Sequence, residues 1–372
     1  MQEPILHATH KAIEVIKKCS TKHGLYASAG PLPYTQVWGR DSNITLIGAT
    51  AHTKEFEGVF RKTLETLASK QSKKGQIPNA VDFVGSIDKP ATFATIDSSL
   101  WFIFGEHFYK KKFGNSLWKK HAKNIEAAMK WIDFQDAGED LLPEQQPTSD
   151  WMDCFPHKYG HVLNTQALYY AALCATGRKK ELKAVKKAIN SYLWSEKLGY
   201  YLPWRWKDHG KFSEKETWFD SLGNMLAIVF GLATKKQAKR ILDFVKRKGI
   251  AMPYPMRAIY PPIKKGSPEW KDYYSDSLAG TPNEYLNAGI WPYIGGFYVA
   301  ALVKAKRFSD AEAALESLAK ANSLGKKLDW DFNEWIHPIT GEPEGGRFQA
   351  WSAGGYLLAY EAVKRKTNPL EI

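Results

Sequence analysis

The sequence contains little cysteine and no long apolar run. Its 372 residues include three cysteines, widely spaced and odd in number, which supports neither a disulfide framework nor a structural zinc site. No segment approaches the roughly 18 uninterrupted apolar residues of a membrane span. The first residues, MQEPILHATHKAIEVIKKCS, mix charges with apolar side chains and do not resemble a secretory signal. These absences favour a protein of the reducing cytoplasm with no membrane partner.

Arginine is also scarce, although the net charge is +13. Ten of the 52 basic residues are arginine, and the lysines recur on amphipathic segments such as RKKELKAVKKAINSYL. That pattern is typical of solvated helix faces, whereas a phosphate-binding surface would cluster its cations. The charge therefore indicates no nucleic-acid partner. The sequence does not indicate an oligomeric state.

Two histidines are spaced as helical metal ligands would be. His157 and His161 are four residues apart, but Pro156 and Gly160 indicate a loop at this place. A role in binding hydroxyl groups or in local structure is therefore favoured, and neither a metal nor another cofactor is expected.

Helical periodicity dominates the chain, and few segments alternate as strands do. The apolar fraction of 44% is that of a globular protein. The pattern predicts twelve helices. They span residues 4–19, 41–52, 54–71, 95–112, 117–134, 160–175, 178–193, 218–231, 235–247, 286–305, 309–322 and 347–363.

The predicted helices are of two kinds that alternate along the chain. One kind, such as KKQAKRILDFVKRKG, carries charges beside a single apolar stripe and suits an outer layer that faces water. The other kind, such as NTQALYYAALCA, is apolar on most faces and rich in small and aromatic residues, as buried helices are. Six outer helices alternating with six inner ones predict an all-α fold, the (α/α)6 barrel. We expect it to form a single domain over residues 1–372.

Connection lengths distinguish the two ends of the predicted barrel. Links from an inner helix to the next outer helix are short, whereas the links from outer to inner helices are long. In an alternating ring all the long links emerge at one end, and long loops usually carry function. We therefore expect the functional site at that mouth. The long links span residues 21–40, 72–94, 135–159, 194–217, 248–285 and 323–346.

Carboxylates, amides and tryptophans cluster where the long links meet the inner helices. Aromatic rings stack on the C–H faces of sugars, while Asp, Arg and Asn bind hydroxyl groups. The tryptophans would also fit the barrel core, and Asp41 and Asp97 would each fit a local role at a helix N-terminus. The clusters predict a site for a small carbohydrate. The candidate binding residues are Tyr34, Trp38, Arg40, Asp41, Asp97, Trp151, His161, Gln166, Asn287, Trp291, Gln349 and Trp351.

Six segments resemble, in order, the motifs of known (α/α)6 glycoside hydrolases. They are QVWGRDS, IDSSLW, MDCFPHKYGHVLNTQALYYAAL, NAGIWP, NEWIHPITGE and FQAWSAGGYLLA. The resemblance runs from about residue 33 to 360 and is closest to the alkaline/neutral invertases and to the amylo-α-1,6-glucosidase domain of glycogen-debranching enzymes. YGH and the last segment are more similar to the invertases, whereas WMD is more similar to the debranching domain.

The resemblance implies two catalytic carboxyl groups. It places the general acid at Asp153 in WMD and the general base at Glu334 in NEW. The apolar neighbours of Asp153 would also favour its protonated form. Asp150 is the alternative acid, and either carboxylate could instead cap the helix that follows. The two groups of an inverting pair should lie roughly 6.5–9.5 Å apart.

The favoured interpretation is an inverting hydrolase of an α-glucosidic bond in sucrose, a short gluco-oligosaccharide or a glycogen-derived stub. A lyase or phosphorylase on the same barrel, and a non-catalytic carbohydrate-binding protein, are the alternatives. The chain begins almost at the first predicted helix, so a debranching role is expected to need a partner enzyme that trims the branch first.

Overall fold

The computed structural model describes residues 3–30, 34–209, 212–276, 278–326 and 328–372. Residue 33, where the resemblance begins, lies outside these ranges. The described residues form thirteen α-helices. These are α1 (Glu3–Cys19), α2 (Asp41–His52), α3 (Glu57–Ser69), α4 (Asp97–Phe113), α5 (Ser116–Lys120), α6 (Ala122–Asp133), α7 (Leu163–Thr176), α8 (Lys179–Leu193), α9 (Ser221–Val229), α10 (Lys235–Lys248), α11 (Pro292–Lys304), α12 (Phe308–Ser323) and α13 (Ala350–Arg365).

Each predicted helix is present, with differences in extent. The outer helix predicted over 117–134 is divided into α5 and α6 at His121. The inner helix predicted from residue 286 begins only at Pro292, because Ile290 instead pairs with Ile336 as an isolated bridge. Proline suits the first turn, where its missing N–H has no helical partner. The periodicity therefore located the helices but not the irregular backbone before them.

The inner helices form a closed ring. In chain order, α2, α4, α7, α9, α11 and α13 each pack against the next, and α13 packs against α2. Residues 41–51 of α2 are all buried, whereas α10 in the outer layer buries only one face. The fold predicted from the sequence, an (α/α)6 barrel with α5 and α6 sharing one outer position, is confirmed. Among the described helices, none is both long and apolar enough to cross a membrane.

Glycines bring the inner helices into backbone contact. A Cβ atom at Gly48 of α2 would overlap the carbonyl oxygen of Gly354 in α13, and one at Gly354 would overlap the backbone of Thr45. A Cβ atom at Gly296 of α11 would likewise overlap the carbonyl oxygen of Gly355 in α13. The small residues that mark the inner helices in the sequence therefore set the helix spacing at these two contacts.

Replacing Gly354 with Ala is expected to lower the free energy of unfolding by about 1–3 kcal/mol, because the added methyl group overpacks the contact between α2 and α13. Urea unfolding would measure the change. Gly58 is the matched control, because it lies on the exposed side of α3 and its added Cβ would contact nothing. Gly58→Ala should stabilise by up to about 1 kcal/mol through helix propensity. Equal effects of the two substitutions would contradict the packing argument.

The strands are short and lie in the long connections between outer and inner helices, which we number links 1 to 6 in chain order. Link 1 joins α1 to α2, and link 6 joins α12 to α13. The strands are β1 (Ser20–Thr21), β2 (Gly24–Leu25), β3 (Gln36–Trp38), β4 (Ala80–Asp82), β5 (Ala91–Thr92), β6 (His161–Val162), β7 (Trp194–Ser195), β8 (Tyr200–Tyr201), β9 (Trp204–His209), β10 (Phe212–Lys215), β11 (Phe219–Asp220), β12 (Ile259–Tyr260), β13 (Trp335–Ile336) and β14 (Pro343–Glu344). Short 3-10 helices span Lys54–Phe56, Asp272–Asp276 and Leu278–Gly280.

Backbone pairing joins each link to the next around the mouth. Antiparallel pairs β3–β4, β6–β9 and β11–β12 connect links 1 to 2, 3 to 4 and 4 to 5. The circle is completed by a hydrogen bond from Ile96 N–H to Ser149 O and by the bridges Ile290–Ile336 and Ser28–Gln349. The six links therefore support one another at one end of the barrel, as their lengths predict.

Candidate active site

A narrow cavity of about 70 Å³ lies at the mouth of the barrel. Its walls come from links 1, 3, 5 and 6 and from the first turns of α2 and α13. Larger clefts elsewhere on the described part of the chain include neither Asp153 nor Glu334. The cavity is lined by Tyr34, Trp38, Arg40, Asp41, Trp151, Asp153, Tyr285, Trp291, Glu334, Gln349 and Trp351.

Glu334 is held firmly in the cavity wall. Its side chain is 6% exposed, and its carboxylate accepts hydrogen bonds from the Tyr285 hydroxyl at 3.2 Å and from the Gly346 backbone N–H at 2.9 Å. Burial raises the pKa of Glu334, while both hydrogen bonds oppose that rise by favouring the ionised form. The carboxylate is therefore oriented by two donors, and each of its oxygens can accept a further hydrogen bond.

A pair of glycines makes this arrangement possible. Gly345 has a φ of +71°, and a Cβ atom there would lie 2.5 Å from Oε2 of Glu334. A larger residue would both strain the backbone and displace the carboxylate. The segment EGGR therefore lets the backbone of Gly346 reach Glu334 directly.

Asp153 belongs to link 3, and its side chain is accessible at the cavity surface. Surrounding protein raises the pKa of Asp153 by desolvation. The guanidinium of Arg40 opposes this rise, whereas the negative charges of Asp41 and Asp150 add to it. These surroundings favour a protonated carboxyl group at a higher pH than in a free aspartate.

Arg40 and Asp41 form an ion pair where link 1 enters α2. Arg40 Nε lies 3.1 Å from Asp41 Oδ2, and Arg40 Nη1 lies 3.5 Å from Asp97 Oδ2. All three side chains are buried. Although burial opposes the charged guanidinium, the carboxylates of Asp41, Asp97 and Asp153 raise the pKa of Arg40. The cavity lining thus combines one fixed cation with the three carboxyl groups of Asp41, Asp153 and Glu334.

The tryptophans of the cavity pack against one another as well as lining it. Trp351 stacks on Tyr293 with ring centroids 4.2 Å apart and an interplanar angle of 7°, and Trp151 contacts Trp291 edge to face. Trp151, Trp291 and Trp351 are buried, whereas Trp38 is only half-buried. The three buried tryptophans therefore both fill the barrel core and line the cavity, the two roles that the sequence left open.

The comparison with known proteins agrees with this geometry. The chain matches the amylo-alpha-1,6-glucosidase family over residues 10–358. It belongs to this family of glycoside hydrolases. The resemblance stated from the sequence motifs is thereby confirmed.

Two plant enzymes illustrate the related sequences. The chain is 25% identical to neutral/alkaline invertase 3, chloroplastic, of Oryza sativa subsp. japonica, in an alignment covering 73% of this chain and 53% of that protein. It is 26% identical to alkaline/neutral invertase E, chloroplastic, of Arabidopsis thaliana, over 72% of this chain and 51% of that protein. The chain thus spans about half the length of the curated relatives it matches.

Solved structures share the fold of this family member. A mannosylglycerate hydrolase from Thermus thermophilus, in complex with Tris and D-glycerate, superposes with a TM-score of 0.68 at 14% identity, covering 94% of this chain and 99% of that one. A bacterial glucoamylase in complex with acarbose superposes with a TM-score of 0.66 at 14% identity, covering 98% of this chain and 56% of that one. At these identities the likeness concerns the fold.

Four of the binding residues predicted from the sequence do not line the cavity. Asp97, the first residue of α4, is fully buried beneath Arg40. His161 is covered where β6 pairs with β9, and its Nε2 lies 3.3 Å from Asp140 Oδ2. The other two residues bind backbone groups of the links. Gln166 Nε2 donates to Pro143 O, and the amide group of Asn287 bonds Ile263 N–H, Ile263 O and Gly280 O.

Two further candidates from link 3 also have structural partners. Asp150, the alternative acid, is fully buried and pairs with Lys158 Nζ at 2.7 Å. The ring of His157 stacks on that of Tyr273, with centroids 4.7 Å apart. Within the described ranges, no three His, Cys, Asp or Glu side chains converge as a metal site would require.

Tyr285 lines the cavity but is absent from the sequence-based candidates. It lies in TPNEYLNAGIWP, a segment that the sequence did associate with the mouth. Its hydroxyl donates to Glu334, and its pKa is raised by burial and by the charge of that carboxylate. In the sequence, Tyr285 could have been noticed as an aromatic residue two positions before Asn287 in a segment assigned to the mouth. The nearby Trp291 was the stronger candidate for sugar stacking.

Trp38 is the wall residue best suited to test sugar stacking, because its ring is half-buried and anchored by one hydrogen bond from Nε1 to Gln36 Oε1. Replacing Trp38 with Ala should weaken transition-state binding by about 1–3 kcal/mol, measured as kcat/KM. Trp38→Phe should retain much of that value. An unchanged kcat/KM in Trp38→Ala would assign the ring a packing role only. Trp351 is less suitable, because its removal would also leave a hole against Tyr293.

Proposed function

We propose that the protein is an inverting glycoside hydrolase that cleaves an α-glucosidic bond in sucrose or a short gluco-oligosaccharide. Asp153 protonates the leaving oxygen as general acid, and Glu334 activates water as general base. The observation that carries the proposal is that two carboxyl groups from different links, 3 and 6, line the same tryptophan-walled cavity. A glycosidase needs such a pair on either side of the scissile bond.

The surroundings of each group fit its proposed role. An acid must hold its proton at a higher pH than a free carboxyl group does, and desolvation by the surrounding protein raises the pKa of Asp153 although its side chain is accessible. A base must be oriented and ionised at the working pH: burial raises the pKa of Glu334, and the two hydrogen bonds that it accepts hold the carboxylate in place and oppose that rise. The exposed side of Asp153 suits a group that must reach a leaving oxygen. The anchored position of Glu334 suits a group that holds one water molecule.

The cavity supports a substrate that inserts a single sugar ring. At about 70 Å³ it is far smaller than the roughly 300–1,000 Å³ of sites that enclose drug-sized ligands. Apart from the ion-paired Arg40, three lining residues have a buried donor without a hydrogen-bond partner in the described structure: Gln349 Nε2, Trp151 Nε1 and Trp351 Nε1. Buried donors are normally satisfied, so these three are suited to sugar hydroxyl groups after small shifts. We infer that the enzyme removes one terminal glucosyl residue.

The lining supports a neutral leaving group. Of the described lining residues, only Arg40 is cationic, and it is already paired with Asp41 and Asp97. A charged aglycone such as the glycerate of mannosylglycerate, and an attacking phosphate, would each need a further cation here. Sucrose and isomaltose carry no charge. The invertase relatives and the family are consistent with these two substrates.

Product analysis with a substrate panel tests the proposal. The purified protein would be incubated with sucrose, isomaltose, limit dextrin and mannosylglycerate, each with and without phosphate. Free glucose released without phosphate is the expected result. Glucose 1-phosphate formed only with phosphate would indicate a phosphorylase, and an unsaturated sugar would indicate a lyase. Binding without any product would indicate a carbohydrate-binding protein. Each of these three outcomes would contradict the proposal.

A further inference from the structure

The segment that carries Asp153 has no regular secondary structure. Residues 150–158 precede β6 in link 3 and contain neither helix nor strand. Backbone hydrogen bonds anchor the two sides of this segment, from Ile96 N–H to Ser149 O and between Gln145 and Gly160. The position of Asp153 therefore depends on what the side chains of this segment contact.

A buried ion pair closes the segment on itself. Lys158 is only 1% exposed, and its Nζ lies 2.7 Å from Oδ2 of the fully buried Asp150. Oδ1 of Asp150 accepts a hydrogen bond from the Met152 backbone N–H at 2.9 Å. The two ends of the segment are thus clamped together, with Asp153 between them.

A third ionisable group, Asp220, lies near this clamp. Asp220 is fully buried at the N-terminus of α9, where its carboxylate accepts a hydrogen bond from Gly223 N–H at 3.1 Å. Burial raises the pKa of Asp220 to about 6, and the nearby positive charge of Lys158 opposes the rise. Lys158 therefore lies near carboxyl groups of link 3 and of link 4, where Asp220 ends β11. A buried lysine is costly unless its charge is balanced, and Asp150 provides that balance at 2.7 Å.

We propose that Lys158, through its ion pair with Asp150, is a positioning residue that holds the carboxyl group of Asp153 against the leaving oxygen of the substrate. This inference rests on the proposed role of Asp153 as general acid. Lys158 does not line the cavity and contacts no reacting atom. Its effect is exerted through the geometry of residues 150–158, and a displacement of about 1 Å in a catalytic group can cost about 100-fold in rate.

The test compares two leaving groups in the full chain. Lys158→Met removes the charge but keeps a side chain of similar length, and Asp150→Asn removes the other half of the pair. Each variant should lower kcat by on the order of 100-fold on the disaccharide that the enzyme cleaves in the substrate panel, sucrose or isomaltose, because its leaving oxygen needs protonation. Hydrolysis of α-glucosyl fluoride should fall much less, because fluoride departs with little help. KM is not the deciding measurement, because Trp151 of the cavity wall lies in the same segment and would shift with it; the comparison of the two leaving groups is.

A second buried pair provides the matched control. Glu106 of α4 and His121, at the junction of α5 and α6, are both buried, and Nδ1 of His121 lies 2.6 Å from Oε1 of Glu106. Neither residue lines the cavity. Glu106→Gln should destabilise the protein without making the loss depend on the leaving group. Thermal unfolding of all variants would separate lost stability from lost positioning.

The outcomes are distinct. A loss in Lys158→Met or Asp150→Asn that is equal on both substrates, or no loss at all, would overturn the inference. If Lys158→Met does not fold, Asp150→Asn alone decides. Asp153→Asn, measured in parallel, tests the proposed acid itself: if it shows no dependence on the leaving group, the proposed function is wrong rather than the role of Lys158.

Discussion

Replacing Asp153 with Asn is expected to lower kcat on a natural disaccharide by about 10²–10⁴-fold, the contribution of a well-placed general acid. Asparagine keeps the shape of the side chain but has no acidic proton to donate to the leaving oxygen. On α-glucosyl fluoride the same variant should lose far less activity. Steady-state kinetics with both substrates measures the difference.

The pH profile gives an independent check on Asp153. Activity that needs a protonated acid falls as pH rises through the pKa of that acid, and desolvation by the surrounding protein raises the pKa of Asp153. The alkaline limb of the wild-type profile should therefore lie above the range of a free aspartate, near 3.9, and should disappear in Asp153→Asn. Glu139→Gln, a change of an exposed carboxylate in the same link, should leave both rate and profile unchanged. Wild-type activity in Asp153→Asn would remove it from the mechanism.

The barrel could be predicted from sequence because burial differs so strongly between its two layers. Residues 41–51 of α2 are all buried, whereas α10 exposes its lysines and buries a single stripe. This contrast is a direct property of the residue types, since a helix that is apolar on most faces must be covered on most faces. The end of the barrel at which the long links gather was predicted from loop lengths alone. The structure agrees with that prediction, because residues from links 1, 3, 5 and 6 line one cavity.

The roles of the amide side chains could not be predicted in the same way. Gln166 and Asn287 lie in motif segments beside the mouth, yet both bind backbone groups of the links that surround it. A sugar hydroxyl and a backbone carbonyl make the same demand on an amide group, so the residue type does not distinguish them. Only the path of the backbone decides which partner is within reach.

Lys158 shows a second limit of sequence patterns. Its residue type and the abundance of lysine in the chain indicate a solvated side chain, and many lysines here lie on outer helices. Lys158 is instead buried and paired with Asp150, and its charge also acts on Asp220, which is 70 positions from Asp150 in the chain. Charge balance between distant residues appears only once the links are folded around the mouth. The same holds for Tyr285, whose hydroxyl reaches Glu334 across two links.

Replacing Glu334 with Gln is expected to lower kcat by about 10²–10⁴-fold on every substrate, including α-glucosyl fluoride, because no leaving group removes the need to activate water. This uniform loss distinguishes the base from the acid. The hydrogen bonds from Tyr285 and Gly346 should keep the new side chain in place, so the fold should be preserved. Glu342→Gln, on the exposed turn between β13 and β14, is the matched control.

The stereochemistry and the acidic limb of the pH profile complete the test of Glu334. Activity that needs an ionised base falls as pH falls through its pKa, so the acidic limb of the wild-type profile should lie above the range of a free glutamate, near 4.3. That limb should be absent from the residual activity of Glu334→Gln. Because water attacks from the face opposite the leaving group, proton NMR of fresh wild-type product should detect β-glucose before mutarotation. Early α-glucose would contradict inversion, and full activity in Glu334→Gln would show that the base lies elsewhere.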